Sequence, residues 1–161
     1  MKTKLLHFFT LFFLMLITGV FWGTWFTLTR TFEDFSPAEF IHIGKVIIHN
    51  VAEPMKIIMP AGILLLVISI FFYPHKRSSN FYLAILALVF IIITLLITLK
   101  VLVPYDNDIK TWTVETIPSN WENLRMNWKT FHTLRTFNSL ASFACFSWVV
   151  ISTDIVIRKK S

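Results

Sequence analysis

Cysteine, glycine and charged side chains are all scarce in this chain of 161 residues. Its single cysteine, Cys145, lies within an apolar run, so the sequence has neither a disulfide framework nor a cysteine-based metal motif. Only 15% of the residues are charged while 55% are hydrophobic, which excludes an ordinary soluble domain. The net charge of +6 falls on no soluble basic module with interleaved aromatic residues, so no nucleic acid partner is predicted.

The common motifs of enzymes and carriers are absent from the sequence as well. It contains no glycine-rich phosphate loop, no nucleophile elbow and no HExxH motif, so no cofactor is predicted from a motif. No apolar run carries a carboxylate near its middle, which argues against an ion-coupled transporter.

Four apolar runs are long enough to cross a bilayer, and they predict the fold class. They cover about residues 5–28, 55–73, 81–103 and 137–157. Together they predict an all-α integral membrane four-helix bundle, folded as a single domain over residues 1–161. The first run is interpreted as a retained helix, because bulky residues follow it where a signal peptide would need small ones.

The flanks of these runs predict surroundings and partners. Compact Lys and Arg clusters beside the runs favour a multi-pass protein of the cell membrane with both termini in the cytoplasm. Gly19 and Gly23 form a small-residue step that predicts the close approach of another helix. The expected partners are the lipid bilayer and either another membrane protein or a second copy of the chain.

Two polar outer segments, residues 31–52 and 104–136, separate the apolar runs. In the first, Ser36 is a helix cap, Pro37 takes the first helical position and Glu39 closes a capping box, which predicts an amphipathic surface helix. The second predicts an ordered helical outer loop. In a four-helix bundle both segments meet at the same end, over its mouth.

The second outer segment contains a stripe of aromatic and basic residues. Trp121, Arg125, Trp128, His132 and Arg135 recur three or four residues apart, which puts them on one face of a helix that begins near Ser119 or Asn120. Such a stripe is either an anchor in the lipid headgroups or the lid of an internal cavity.

A second constellation concerns metal binding. His42, His49 and Glu53 share a helical face, and His49 and Glu53, four residues apart, could bind one metal with His132 as a further ligand. The alternative is the polar face of an amphipathic helix that happens to contain two histidines. Asp106, Asn107 and Asp108 follow Val103-Pro104, and they predict either oxygen ligands or a turn and a helix cap.

The C-terminal third also carries a spaced set of residues typical of one family. The set is Val103-Pro104, Asn107, Ile109, Trp112, Pro118, Trp121, Leu124-Arg125, Trp128, His132 and Arg135-Thr136. In these positions the chain resembles the anthrone oxygenase-like family of small four-helix membrane proteins, mostly of unknown function. The resemblance implies the same bundle and the oxygenation of an anthrone, a polycyclic phenol-like molecule, to a quinone. The resemblance does not identify any catalytic residue in this chain.

The resulting hypothesis is a membrane oxidoreductase for an apolar aromatic or quinone-like substrate that partitions from the bilayer. Trp121 and Trp128 would stack on the substrate ring, and Trp112 and Asn107 would complete its binding site. His132 would act as the base, and Arg125 or Arg135 would stabilise the resulting anion. Because a resonance-stabilised carbanion can react with dioxygen directly, this chemistry needs no cofactor.

A non-enzymatic membrane protein that binds or assembles a partner is the alternative, and a small channel or transporter is a third possibility. An enzyme needs a closed pocket lined by His132, Arg125 and tryptophan residues. A packing protein would bury the same side chains against one another or in headgroups.

Overall fold

The computed structural model describes residues 2–158 of the chain, and the surroundings of side chains over residues 3–152. All its regular elements are helical. They are α1 (Lys2–Thr27), a 3₁₀ helix (Thr29–Asp34), α2 (Pro37–Phe71), α3 (Ser79–Ile97), a π-helix (Thr98–Leu102), α4 (Val103–Thr111) and α5 (Trp121–Arg158). Within this described range four helices are long and apolar enough to cross a membrane. The predicted all-α, four-helix architecture is confirmed.

The long helices run up, down, up and down. Thr10 on α1 lies 2.9 Å from Ser69 on α2, hydroxyl to hydroxyl, while Ile17 on α1 lies against Gly62 on α2. Residue numbers therefore rise along α1 where they fall along α2, so the two helices are antiparallel. The segment from α3 to α4 is antiparallel to α5 in the same way, because Ala87 meets Ser142 and Asp106 meets Trp128. The turn before α3 consequently lies at one end of the bundle, and both outer segments lie at the other.

Helix α2 begins where the sequence predicts and continues further than one span requires. The side chain of Ser36 accepts a hydrogen bond from the Glu39 backbone N–H at 3.4 Å, and Glu39 Oε2 accepts one from the Ser36 N–H at 2.9 Å. This confirms the capping box. The helix then runs to Phe71, although Pro54 and Pro60 each remove one intrahelical donor. The predicted surface helix and the second apolar run thus form one helix.

Two clusters of buried apolar side chains hold the bundle together. The first lies along its length and includes Leu14, Ile17, Leu66, Ile91 and Val149. The second lies at the outer end and joins both outer segments through Phe32, Phe40, Ile109, Trp112 and Trp128. Between these two clusters the packing leaves a cavity, and it contains the candidate site.

The glycine contacts differ from those that the sequence predicts. A Cβ added at Gly19 or Gly23 meets no atom of another described helix within 4 Å, so the predicted close approach of a helix is not made there within the described chain. The close approach occurs at Gly62 instead, where an added Cβ would lie 2.9 Å from Ile17 Cδ1 and 3.3 Å from Phe13 Cβ. Since α1 presents its large side chains to α2, the small residue that accommodates them is on α2.

Gly62→Ala is therefore expected to destabilise the protein relative to Gly19→Ala. Overpacking costs about 1–3 kcal/mol, whereas replacing a helical glycine with alanine gains at most ~1 kcal/mol, and only the Gly62 variant pays the first cost. Unfolding midpoints of both purified variants in one detergent would measure the difference. Equal midpoints would contradict the close contact at Gly62.

Candidate functional site

The π-helix sets the direction of the side chains that follow it. The Val103 backbone N–H bonds the carbonyl of Thr98, five residues back, just before Pro104, which has no N–H to continue a regular ladder. One extra residue in a turn rotates everything after it by about 100°. As a result Asp106 on α4 faces α5. Because residues 103–111 are helical, the predicted turn and helix cap at Asp106–Asp108 is wrong.

The aromatic and basic stripe of α5 faces the interior. Arg125, Trp128, His132 and Arg135 are all buried, with exposed fractions of 8%, 1%, 5% and 7%, and Trp121 is half-buried. Side chains that anchor a helix to headgroups would remain at the surface. The observed orientation therefore favours an internal site over the interfacial anchor.

A cavity of about 500 Å³ lies between α2, the α3–α4 segment and α5. Most of its lining is apolar, which suits an apolar ligand. The polar exceptions are Lys56, Thr98, Asp106, His132 and Arg135, with Trp128 beside them. The mouth of the cavity lies between α2 and the π-helix region, where the lining residues Pro60, Leu99 and Val103 are exposed.

A hydrogen bond from Arg135 fixes the tautomer of His132. Arg135 Nη2 lies 2.9 Å from His132 Nδ1, and both side chains are buried. Because a guanidinium has only donors, Nδ1 must accept, and the proton of the neutral imidazole is then on Nε2. His132 Nε2 is buried and has no hydrogen-bond partner among the described residues. A buried donor without a partner is costly, so a ligand acceptor in the cavity would satisfy it.

Trp128 joins the carboxylate and the imidazole of the site. Its Nε1 donates a hydrogen bond to Asp106 Oδ1 at 3.0 Å, and its ring meets that of His132 edge to face at 4.4 Å between centroids. The ring of Phe32 is stacked on Trp128 at 4.9 Å. One face of this tryptophan is thus occupied by the protein itself, and the indole orients its neighbours.

The cavity lining carries one buried cation and one carboxylate of the described chain. Arg135 Cζ lies 4.1 Å from the ring centroid of Phe21, which supports the guanidinium through a cation–π contact. Asp106, which lines the same cavity, supplies the opposite charge. Lys56, the other cation of the lining, is paired with Glu53 at the surface, so a neutral ligand fits the balance between Arg135 and Asp106.

Two of the residues assigned to catalysis and ring stacking from the sequence lie outside the cavity. Arg125 Nη1 donates to the carbonyl of Phe35 at 3.0 Å, and its Cζ lies 4.5 Å from the ring centroid of Trp121. Neither Arg125 nor Trp121 is among the residues that line the cavity. Arg125 thus holds the residue after the 3₁₀ helix against α5, and Trp121 packs against Phe40 of α2 at 6.1 Å between ring centroids.

The other two residues assigned to substrate binding also lie elsewhere. Trp112 is buried in the outer cluster, and its carbonyl accepts a hydrogen bond from Lys45 Nζ at 2.7 Å. Asn107 is exposed, and its Oδ1 accepts from Lys110 Nζ at 3.3 Å. The neighbouring Asp106, not assigned to the site from the sequence, lines the cavity instead.

The metal set predicted from spacing is not assembled. His42 and His49 are exposed, and Glu53 forms an ion pair with Lys56 at 2.5 Å on the surface of α2. The face of α2 that these residues share points outward, whereas His132 is buried in the wall of the cavity. Over the residues that the structure describes, no group of three or more His, Cys, Asp or Glu side chains could hold a metal ion.

Fold and site together define a class: an all-helical bundle with four membrane-capable helices around an apolar cavity with a buried polar wall. The family model described as anthrone oxygenase matches residues 49–145. This range covers well over half of the chain and includes most of the cavity lining. The protein belongs to the anthrone oxygenase family. No curated protein and no solved structure matches it.

Proposed function

We propose that this protein is a multi-pass membrane oxygenase that converts an apolar aromatic, anthrone-like molecule to a quinone-like product. One observation carries the proposal: an apolar cavity of about 500 Å³ contains a buried imidazole whose Nε2 lacks a partner in the described chain. Cavities of this size hold ligands of several rings, and a few polar groups in a mostly apolar wall orient a ring oxygen. Family membership supports the chemistry.

The substrate reaches the cavity from the bilayer. Pro60, Leu99 and Val103 are exposed at the mouth, and an apolar mouth on the side of a bundle is open to lipid. In this proposal the protein crosses the cell membrane four times, and both termini lie in the cytoplasm beside the Lys and Arg clusters. A molecule dissolved in the hydrocarbon layer would enter without passing through water.

The reaction uses dioxygen as the oxidant. A methylene group of the substrate loses two hydrogens and gains one oxygen atom as a carbonyl, and the second oxygen atom leaves as water. The protein supplies a dry cavity, a base for the methylene proton and a donor for the oxygen that becomes anionic. In a polycyclic phenol-like substrate the rings delocalise the charge of this anion, which allows direct reaction with dioxygen.

Filling the cavity tests the assignment of function to it. We expect Ala52→Trp, on the cavity wall, to lower the rate of anthrone oxidation by about 10- to 100-fold, because displacing a bound reactant by ~1 Å has effects of this size. The matched control is Ile57→Trp, on the same helix, at a residue 72% exposed. Oxygen uptake and anthraquinone formation by protein in lipid nanodiscs, in a ratio of one to one, provide the measurement.

Wild-type protein that neither binds anthrone nor consumes oxygen with it would contradict the proposed function and favour the partner-binding alternative. Oxidation that Ala52→Trp and Ile57→Trp leave equally fast would separate the activity from this cavity.

A further inference from the structure

The hydrogen bond between Arg135 and His132 bears on which group removes the substrate proton. Nδ1 of His132 already accepts from the guanidinium, and Nε2 carries the proton of the neutral ring. In this state the imidazole has no free lone pair to offer to a C–H or O–H group. Taking up a second proton would create an imidazolium next to a guanidinium, both of them buried. His132 is therefore built to donate a hydrogen bond, and another side chain must be the base.

We infer that Asp106 is the catalytic base and that His132 Nε2–H is the hydrogen-bond donor to the substrate oxygen. This inference rests on the proposed function and assigns the roles within that site. Among the described residues, Asp106 is the one carboxylate in the cavity wall. Its neighbours Asn107 and Asp108 are exposed on the outer side of α4.

The surroundings of Asp106 orient it for this role. Trp128 Nε1 donates to Oδ1 at 3.0 Å, which fixes the carboxylate and leaves Oδ2 for a proton. Trp128 is held in turn between Phe32 and the His132 ring, at 4.9 and 4.4 Å between centroids. The base and the donor thus both contact one buried indole, which holds them in the same part of the cavity wall, where proton removal next to a carbonyl would need them.

Charge and atoms balance through the sequence of steps. Asp106 takes a proton from the methylene carbon, and the electron pair of that C–H bond delocalises onto the ring oxygen, which accepts from His132 Nε2–H. The carbanion transfers electrons to dioxygen and forms a C–O bond, and the terminal oxygen takes the proton back from Asp106 to give a hydroperoxide. The hydroperoxide loses water, in which its O–O bond and the second C–H bond break, and a carbonyl remains.

Arg135 acts through His132 as a positioning residue. Its guanidinium holds the imidazole in the Nε2–H tautomer and strengthens that N–H as a donor. When the proton moves to Asp106, the negative charge moves to the ligand, and the charge of Arg135 in the same wall balances it. The cavity is therefore suited to a neutral substrate that becomes an anion during the reaction.

Anaerobic proton exchange isolates the step assigned to Asp106. The probe is anthrone in deuterated buffer without oxygen, with exchange at its methylene group followed by NMR for protein in nanodiscs. We expect Asp106→Asn to slow the protein-catalysed exchange and the aerobic oxidation in parallel, by about 10²- to 10⁴-fold, the usual contribution of a general base. Asparagine keeps an oxygen that can accept from Trp128. Asp106→Glu should restore part of the rate, and the matched control Asp108→Asn should leave it unchanged.

Binding of anthrone, followed by tryptophan fluorescence, separates the outcomes. The inference holds if Asp106→Asn binds anthrone but loses exchange. It is overturned if the variant exchanges at the wild-type rate while wild-type protein oxidises anthrone, a result that leaves the proposed function intact. Loss of binding together with exchange in both Asp106 variants would assign the residue a structural role and overturn it too. Wild-type protein without oxidation or exchange would remove both proposals.

Discussion

Trp128→Ala is expected to lower the free energy of unfolding by about 3–5 kcal/mol, the usual cost of deleting a buried large aromatic side chain. The side chain is 1% exposed, stacks on Phe32 at 4.9 Å and meets Phe40 edge to face at 5.6 Å. It is also the donor to Asp106. Trp128 thus joins the outer cluster, the cavity wall and α4, so its removal should loosen all three.

Two further variants separate packing from hydrogen bonding at this position. Trp128→Phe keeps most of the ring but loses the N–H. It should lower the free energy of unfolding by only ~1–3 kcal/mol, the penalty for leaving the Asp106 acceptor without its partner. Trp148→Ala, on the same helix at a residue 62% exposed, is the matched control and should change little. Unfolding curves in a common detergent give the comparison. Similar losses for Trp128→Ala and Trp148→Ala would contradict a central role for Trp128.

The helices and the common face of the stripe residues on α5 are well predicted from sequence because they depend on local and periodic signals. Ser36 and Glu39 cap α2 through side chains three residues apart, which short-range chemistry determines. The five stripe residues lie on one line because the helical period is regular, and four of them are buried. Whether the stripe meets lipid or protein depends on the other helices, so the sequence left both alternatives open.

Helical periodicity predicts the face of the helix on which a residue lies but not its level along the axis. This explains why Arg125 lies outside the cavity although it shares a face with His132. Arg125 and His132 share a face but are separated by two turns, or about 10 Å along the axis. The aromatic cluster of the outer end fills the first level, so Arg125 ends at the Phe35 carbonyl and His132 at the cavity. Periodicity alone treats the two positions as equivalent.

Asp106 was missed for a different reason. A regular helix continued from Thr94 would turn Tyr105 and Asp108 inward, since they lie within about 40° of Thr94 in projection. The wide turn at Thr98–Leu102 shifts the register by one residue, so Asp106 and Ile109 face the interior instead. Pro104 is the sequence signal for an irregular turn, but it does not distinguish a π-helix from the end of a helix.

The metal prediction at α2 depended on spacing within one helix. His42, His49 and Glu53 do share a face, but that face is exposed, and Glu53 is paired with Lys56. A metal site needs ligands from several elements to converge, and convergence is a property of packing. The inward side of α2 carries Ile48 and Met59 instead, which line the cavity.

His132→Phe is expected to lower kcat for anthrone oxidation by about 10²- to 10³-fold with a much smaller change in KM. Removing one donor from a site that stabilises an oxyanion has effects of this size, and they appear in the transition state because the charge develops there. Phenylalanine keeps the ring against Trp128 but loses Nε2–H and the acceptor for Arg135. His132→Gln, whose amide can accept from Arg135 and donate to a ligand, should recover part of kcat.

Anaerobic exchange distinguishes a donor from a base at this position. If His132 were the base, His132→Gln would remain as inactive in proton exchange as His132→Phe, because an amide does not take up the proton. If it is the donor, His132→Gln exchanges faster than His132→Phe, and Asp106→Asn stays slow whatever residue occupies position 132. Thr130→Ala, an exposed change on the same helix, controls for purification and reconstitution. The order of these rates decides between the two assignments, because only a donor can be replaced by an amide.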